Sequence, residues 1–108
     1  MITWMNYPGA MHGWGNGYVL IPEGHKLHGM SYDNIHEKYP DLKVHCGLTF
    51  SSLVDTEMIN EWPELSKEDE GGWLVGFDTC HYQDDIERWP MEAVQAEADK
   101  LMMQLNKL

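Results

Sequence analysis

The chain has 108 residues, 43% of them hydrophobic and 23% charged, the size and composition of one globular domain. Its 18 acidic residues stand against 7 Lys and Arg, a formal charge of -11, and this disfavours direct nucleic-acid binding, which draws its energy from Lys and Arg displacing counterions. An anionic membrane surface is disfavoured on the same ground, and no apolar run approaches the roughly 18 residues of a spanning helix.

Residues 1–14 lack the basic start and apolar stretch of a secretory leader. Cys46 and Cys80 are too few for a disulfide framework and too far apart for a metal knuckle. The chain therefore reads as a cytoplasmic protein whose two thiols are reduced and structural. Residues 1–16 mix aromatics with glycines and Pro8 without a sustained period, which predicts an irregular arm with at most one short strand. Gly17 to Pro22 is a short apolar run closed by Pro22 and Gly24, and predicts a strand with its exit turn. Ser31 can cap a helix of one or two turns in which Tyr32, Ile35 and Tyr39 share a face, with Pro40 stopping it.

Lys43 to Ser51 alternates, with Val44, Cys46, Leu48 and Phe50 on one side and His45, Gly47, Thr49 and Ser51 on the other, and predicts a strand. Trp73 to Cys80 repeats the pattern, with Trp73, Val75, Phe77 and Thr79 opposed to Leu74, Gly76, Asp78 and Cys80. Between them lie seven acids (Asp55, Glu57, Glu61, Glu64, Glu68, Asp69, Glu70) and one base, Lys67. So long a connection calls for a short helix over Thr56 to Trp62, held down by Met58, Ile59 and Trp62. From Pro90, placed at a first helical position, Met91, Val94, Ala98, Leu101, Met102, Leu105 and Leu108 trace one stripe of a long helix. The expectation is an α+β domain over residues 1–108, a small antiparallel sheet of three to four strands packed against one C-terminal helix over 90–108.

If the apolar faces of the two alternating strands lie under that helix, the opposite face shows His45, Gly47, Thr49, Gly76 and Asp78. Glycines inside strands mark close approach, either of a ligand or of a packed aromatic such as Trp4 or Trp14. His81, Asp84 and Asp85 follow at once, so His45, Asp78, His81 and Asp84 form a candidate set for a divalent metal, with water in an open position. Without metal the same groups offer a His and carboxylate acid-base pair. His25 and His28, between Gly24 and Gly29 on the exit loop of the first long strand, add candidate ligand contacts; alternatively one of them caps the helix at Ser31 and the other is solvated. With Cys46 on the apolar side, nucleophilic catalysis has no candidate.

These residues resemble a family of small uncharacterised proteins of phage and prophage genomes. The resemblance rests on Gly17-Tyr18 to Pro22-Glu23-Gly24-His25, on Val44-His45-Cys46-Gly47-Leu48-Thr49-Phe50, and on Trp73 to Gly76-Phe77-Asp78 with His81. It spans residues 17 to 85, and departs at Cys46 and at Gln83, where the family pattern has glycine. The resemblance implies a phage origin, hence the cytoplasm of a host cell, and a shared polar set of His25, His45, Asp78 and His81; it implies no activity.

Three functions are open. The first is an accessory protein that acts by binding, an acidic inhibitor of a host defence or nucleic-acid-handling protein with a basic surface, through Glu57, Glu61, Trp62, Glu64, Glu68 and Asp69. The second is a nucleotide or small-ligand site using His25, His28, His45, Thr49, Asp78 and His81. The third is a metal-assisted hydrolase using His45, Asp78, His81 and Asp84. A homodimer through the sheet edge is open beside any of them.

Overall fold

A computed structural model describes residues 1–9 and 12–108. Four strands form one antiparallel sheet in the order β1-β2-β4-β3: β1 is Ile2–Asn6, β2 Asn16–Ile21, β3 Phe50–Leu53 and β4 Trp73–Asp78. Three α-helices accompany it, α1 at Tyr32–Lys38, α2 at Thr56–Glu61 and α3 at Met91–Asn106, with a 3₁₀ turn at Lys67–Asp69. The α+β class expected from the sequence is the one found, and among the described residues no helix is long and apolar enough to cross a membrane.

Helix α3 lies against β1 and β2, and its Val94, Ala98, Leu101 and Leu105 are buried in one core cluster with Val19 and Ile21 of β2 and Val75 and Phe77 of β4. This is one stripe of a 3.6-residue period meeting the alternate positions of two strands. Met91, placed on that stripe by the pattern, is 45% exposed, and Pro90 stands as the N-cap rather than inside the helix. Helix α1 begins where the pattern puts it: the Ser31 hydroxyl accepts from Asn34 N at 3.3 Å.

Two expectations fail. Residues 43–49 are not a strand. Gly47 (φ 85) and Cys46 (φ 55) both lie in the left-handed region, and Gly47 N donates to Val44 O at 2.9 Å, closing a tight turn. The backbone before the turn is held by α3: Gln104 accepts from Lys43 N and donates to Lys43 O, and Glu97 accepts from His45 N. Only Phe50–Leu53 joins the sheet, and Phe50 faces away from α3.

The second failure concerns the other face of the sheet, which is no polar recess with a glycine floor. Tyr18, Leu20 and Leu74 are buried there with Val54 and Leu65 from the acidic connection, and Trp4, Phe50, Met58, Ile59 and Trp62 pack on them. Gly76 is opposite Tyr18 in the register, and a Cβ on it would lie 2.5 Å from Tyr18 Cδ1. That glycine makes room for an aromatic, contributed by the neighbouring strand, with Trp4 stacked on it at 4.4 Å. The sheet is thus covered on both faces, by α3 on one and by an aromatic layer on the other.

Candidate metal centre

Three segments meet beyond the end of β4. Asp78 closes that strand, the turn at 81–84 follows, and the 43–48 segment is pressed against them by its bonds to Glu97 and Gln104 of α3. The turn is knit by one residue: Asp84 N donates to His81 O at 2.9 Å, while Asp84 Oδ2 accepts from His81 N at 3.0 Å and from His81 Nδ1 at 2.8 Å. The other carboxylate oxygen, Oδ1, accepts from His45 Nε2 at 2.8 Å. The Asp84 side chain is 1% exposed, against 15% for His45 and 27% for His81. Burial works against its charge, yet the His81 backbone N–H and the two imidazoles outweigh it and hold the carboxyl below the usual carboxylate range.

A carboxylate can only accept, so each imidazole spends an N–H on Asp84. In its neutral form each then keeps a lone pair on the second nitrogen, Nδ1 of His45 and Nε2 of His81. The rings stand at 89° with centroids 5.2 Å apart, and Trp89 packs on His45 at 4.1 Å, fixing that ring from behind. Cys46 lies exposed beside them, its Sγ 3.9 Å from both nitrogens of His45. One donor atom from each of His45, Cys46 and His81 falls within 4.8 Å of the others. Tetrahedral donors at about 2.0–2.3 Å from a zinc ion lie about 3.4–3.7 Å apart, so the set is within about an ångström of closure.

Of the residues expected to bind metal, His45, His81, Asp78 and Asp84 do converge. Their roles divide: Asp84 orients the two imidazoles, and Asp78 sits at the margin, 3.6 Å from His81 Nδ1. Asp78 accepts from Thr49 Oγ1 at 2.9 Å and from Cys80 N at 3.0 Å, so Thr49 reaches the cluster through it. His12 Nδ1 lies 2.7 Å from the His81 carbonyl oxygen and donates to it, tying the N-terminal arm to the turn.

His25 and His28 are placed elsewhere, and neither caps α1. His25 Nδ1 accepts from Leu27 N inside its own turn, and His28 Nε2 donates to Gly71 O at 2.7 Å while packing on Trp73. Of the acidic tract, Glu57, Glu61, Glu64 and Glu68 are exposed; Asp69 is committed to Ser66 in a capping box. Trp62 is half-buried, within 5.5 to 5.8 Å of Trp4, Tyr18 and Phe50, so it pins its own connection to the sheet.

Both cysteines, read as structural from the sequence, are exposed, and at the site the residue that pattern reasoning misplaced is Cys46. Alternation put it in the core, whereas the left-handed turn turns it out beside the two histidines; the glycine after it was the one sign of a break in the strand. An adjacent thiol and imidazole oriented by a carboxylate suggest a nucleophile, but an activated cysteine needs a depressed pKa. Here desolvation beside the cluster, then the Asp84 and Asp78 charges, push the thiol up, although the residue as a whole is exposed. A cation reverses that balance, since metal coordination deprotonates a thiol outright. No family model, curated protein or solved structure matches this chain.

Proposed function

We propose that this protein holds a divalent transition metal of the zinc class at His45, Cys46 and His81, and that the open fourth position serves water-activating, hydrolytic chemistry. The observation that carries the reading is the Asp84 carboxylate, 1% exposed and bonded at 2.8 Å to one nitrogen of each imidazole. A buried carboxylate that takes one N–H from each of two histidines standing beside a thiol is the outer shell that histidine-ligated metals use. Nitrogen and sulfur donors select zinc over magnesium or calcium. Three protein ligands leave one position for water, whose pKa a bound zinc ion lowers to about 7. The surrounding charge also favours a cation: Asp78 and Asp84 stand at the cluster in a chain of formal charge -11.

The test is calorimetric titration of chelator-treated protein with Zn²⁺, alongside elemental analysis after dialysis. One equivalent is expected in the wild type and none in His45→Ala or His81→Ala, with a weakening of about tenfold in Asp84→Asn. Cobalt substitution is expected to give a thiolate-to-metal charge-transfer band that Cys46→Ser removes. The zinc-loaded protein is expected to hydrolyse p-nitrophenyl acetate or bis-p-nitrophenyl phosphate faster than the His81→Ala variant. A wild-type protein that takes up no metal overturns the reading.

A further inference from the structure

On the face of the sheet away from α3 lies a groove of about 260 Å³ that shares no residue with the metal centre. Phe50 and Trp62, 5.8 Å apart and tilted by 33°, supply its aromatic lining together with Met58. Asp55, Glu57 and Glu61 supply its charge. The volume falls below the roughly 300–1,000 Å³ of small-molecule sites and suits a single long side chain.

Asp55 and Glu57 stand at the end of α2 that favours acids, whereas Glu61 is placed against the interest of the helix that carries it. Glu57 and Glu61 are one turn apart on α2, a like-charge pair, and Glu61 is the last helical residue, where the dipole favours a base and the final turn has none. Asp55 is fixed as the N-cap, accepting from Met58 N at 2.8 Å. None of the three takes part in an ion pair among the described residues. With 7 Lys and Arg for 18 acids the chain cannot neutralise them itself. What complements flat aromatic faces beside carboxylates is a guanidinium, planar, weakly hydrated and able to stack while donating a fork of hydrogen bonds. A lysine ammonium matches the charge but not the faces. Phosphate-bearing ligands are repelled.

We propose that this groove docks an arginine side chain presented by a basic segment of a partner protein. The experiment is an anisotropy titration of fluorescein-labelled hexa-arginine and hexa-lysine against the full chain at two salt concentrations. It uses wild type, Glu57→Gln/Glu61→Gln, and a control with the same charge change elsewhere, Glu37→Gln/Glu87→Gln, both exposed positions. Hexa-arginine is expected to bind the wild type several-fold more tightly than hexa-lysine, about tenfold more weakly to the groove variant, and within about twofold of wild type to the control. Glu57→Gln gives up a favourable first-turn charge while the double change relieves the like-charge pair, effects of similar size and opposite sign, so the groove variant is expected to melt within a few degrees of wild type, which separates lost binding from lost folding. Equal losses in the two variants would reduce the effect to diffuse charge and overturn the proposal, as would equal affinity for hexa-lysine or no binding of hexa-arginine. A dimer of the chain in sedimentation equilibrium that Glu57→Gln/Glu61→Gln dissolves would put a second copy in the groove and overturn it as well.

Discussion

Replacing Asp84 with alanine removes the one side chain to which both imidazoles of the candidate metal centre are anchored. Three hydrogen bonds go with it, from His45 Nε2, His81 Nδ1 and His81 N, at 2.8, 2.8 and 3.0 Å. Bonds to a charged group contribute about 1.5–3 kcal/mol each, and the carboxylate's desolvation cost, several kcal/mol, is recovered when it is removed. The net loss is about 3 kcal/mol, roughly 10–20 °C in Tm for a domain of this size. Differential scanning calorimetry of the metal-free protein measures it, with Glu87→Ala, an exposed site, within about 0.5 kcal/mol of wild type as control. The pH dependence has a definite sign. The folded Asp84 carboxyl lies below its unfolded value of about 3.9, so its stabilisation is fully present above that pH and is lost as the pH falls through the folded value. Wild type should therefore lose Tm more steeply than Asp84→Ala below about pH 4. A variant melting within about 4 °C of wild type, or with a parallel acid limb, would refute the anchoring role of Asp84.

Three further outcomes follow from single contacts. Cys46→Gly relieves a left-handed conformation that costs a side chain about 1–2 kcal/mol, partly offset by glycine's entropy, so a Tm rise of a few degrees is expected in the metal-free protein; a fall would show the turn to be unstrained. The Cys46 thiol, pushed up by desolvation and by Asp84 and Asp78, should alkylate with iodoacetamide more slowly at pH 7 than a free cysteine, with a midpoint above the ordinary thiol value; mass spectrometry of the Cys46 peptide reads this, and a midpoint at or below that value refutes it. Gly76→Ala would place a Cβ 2.5 Å from Tyr18 Cδ1 and 2.8 Å from the Gly17 carbonyl oxygen, and should cost about 2 kcal/mol in chemical denaturation, an unchanged midpoint counting against the packing described.

Strand β4 and helix α3 were legible because their patterns are periodic over many residues and their tertiary surroundings agree with them. Trp73, Val75 and Phe77 alternate onto the core, and Val94, Ala98, Leu101 and Leu105 do so at helical spacing. The 43–51 stretch has an equally clean alternation, yet its first seven residues bend out of the sheet. Two successive left-handed residues break the pleat, and Glu97 and Gln104, more than fifty positions away, take over the backbone bonds that a neighbouring strand would have made. Side chains supplied from a distant helix leave no trace in local periodicity. The layer on the other face was legible only in part: Met58, Ile59 and Trp62 are expected from the sequence to hold the connection down, but the acids of 55–70 dominate that stretch and mask Val54 and Leu65, which seal the sheet with them.

The same bend decides what the site can be. Had 43–51 stayed extended, His45 would have faced away from Cys46 and the thiol would have been an inert part of the core. Turning the chain at Cys46 and Gly47 brings Cys46 and its neighbour His45 to one side, opposite His81, while Leu48 still reaches the core and His36 Nε2 accepts from its backbone N–H at 2.8 Å. His45, Asp78, His81 and Asp84 were visible as a set because they crowd around one strand end; the division of labour among them was not, since it depends on which carboxylate is buried. Asp84 is the buried one, and that choice turns two acids and two histidines from four equivalent candidates into an anchor, a margin and two oriented donors, with Cys46 as the third.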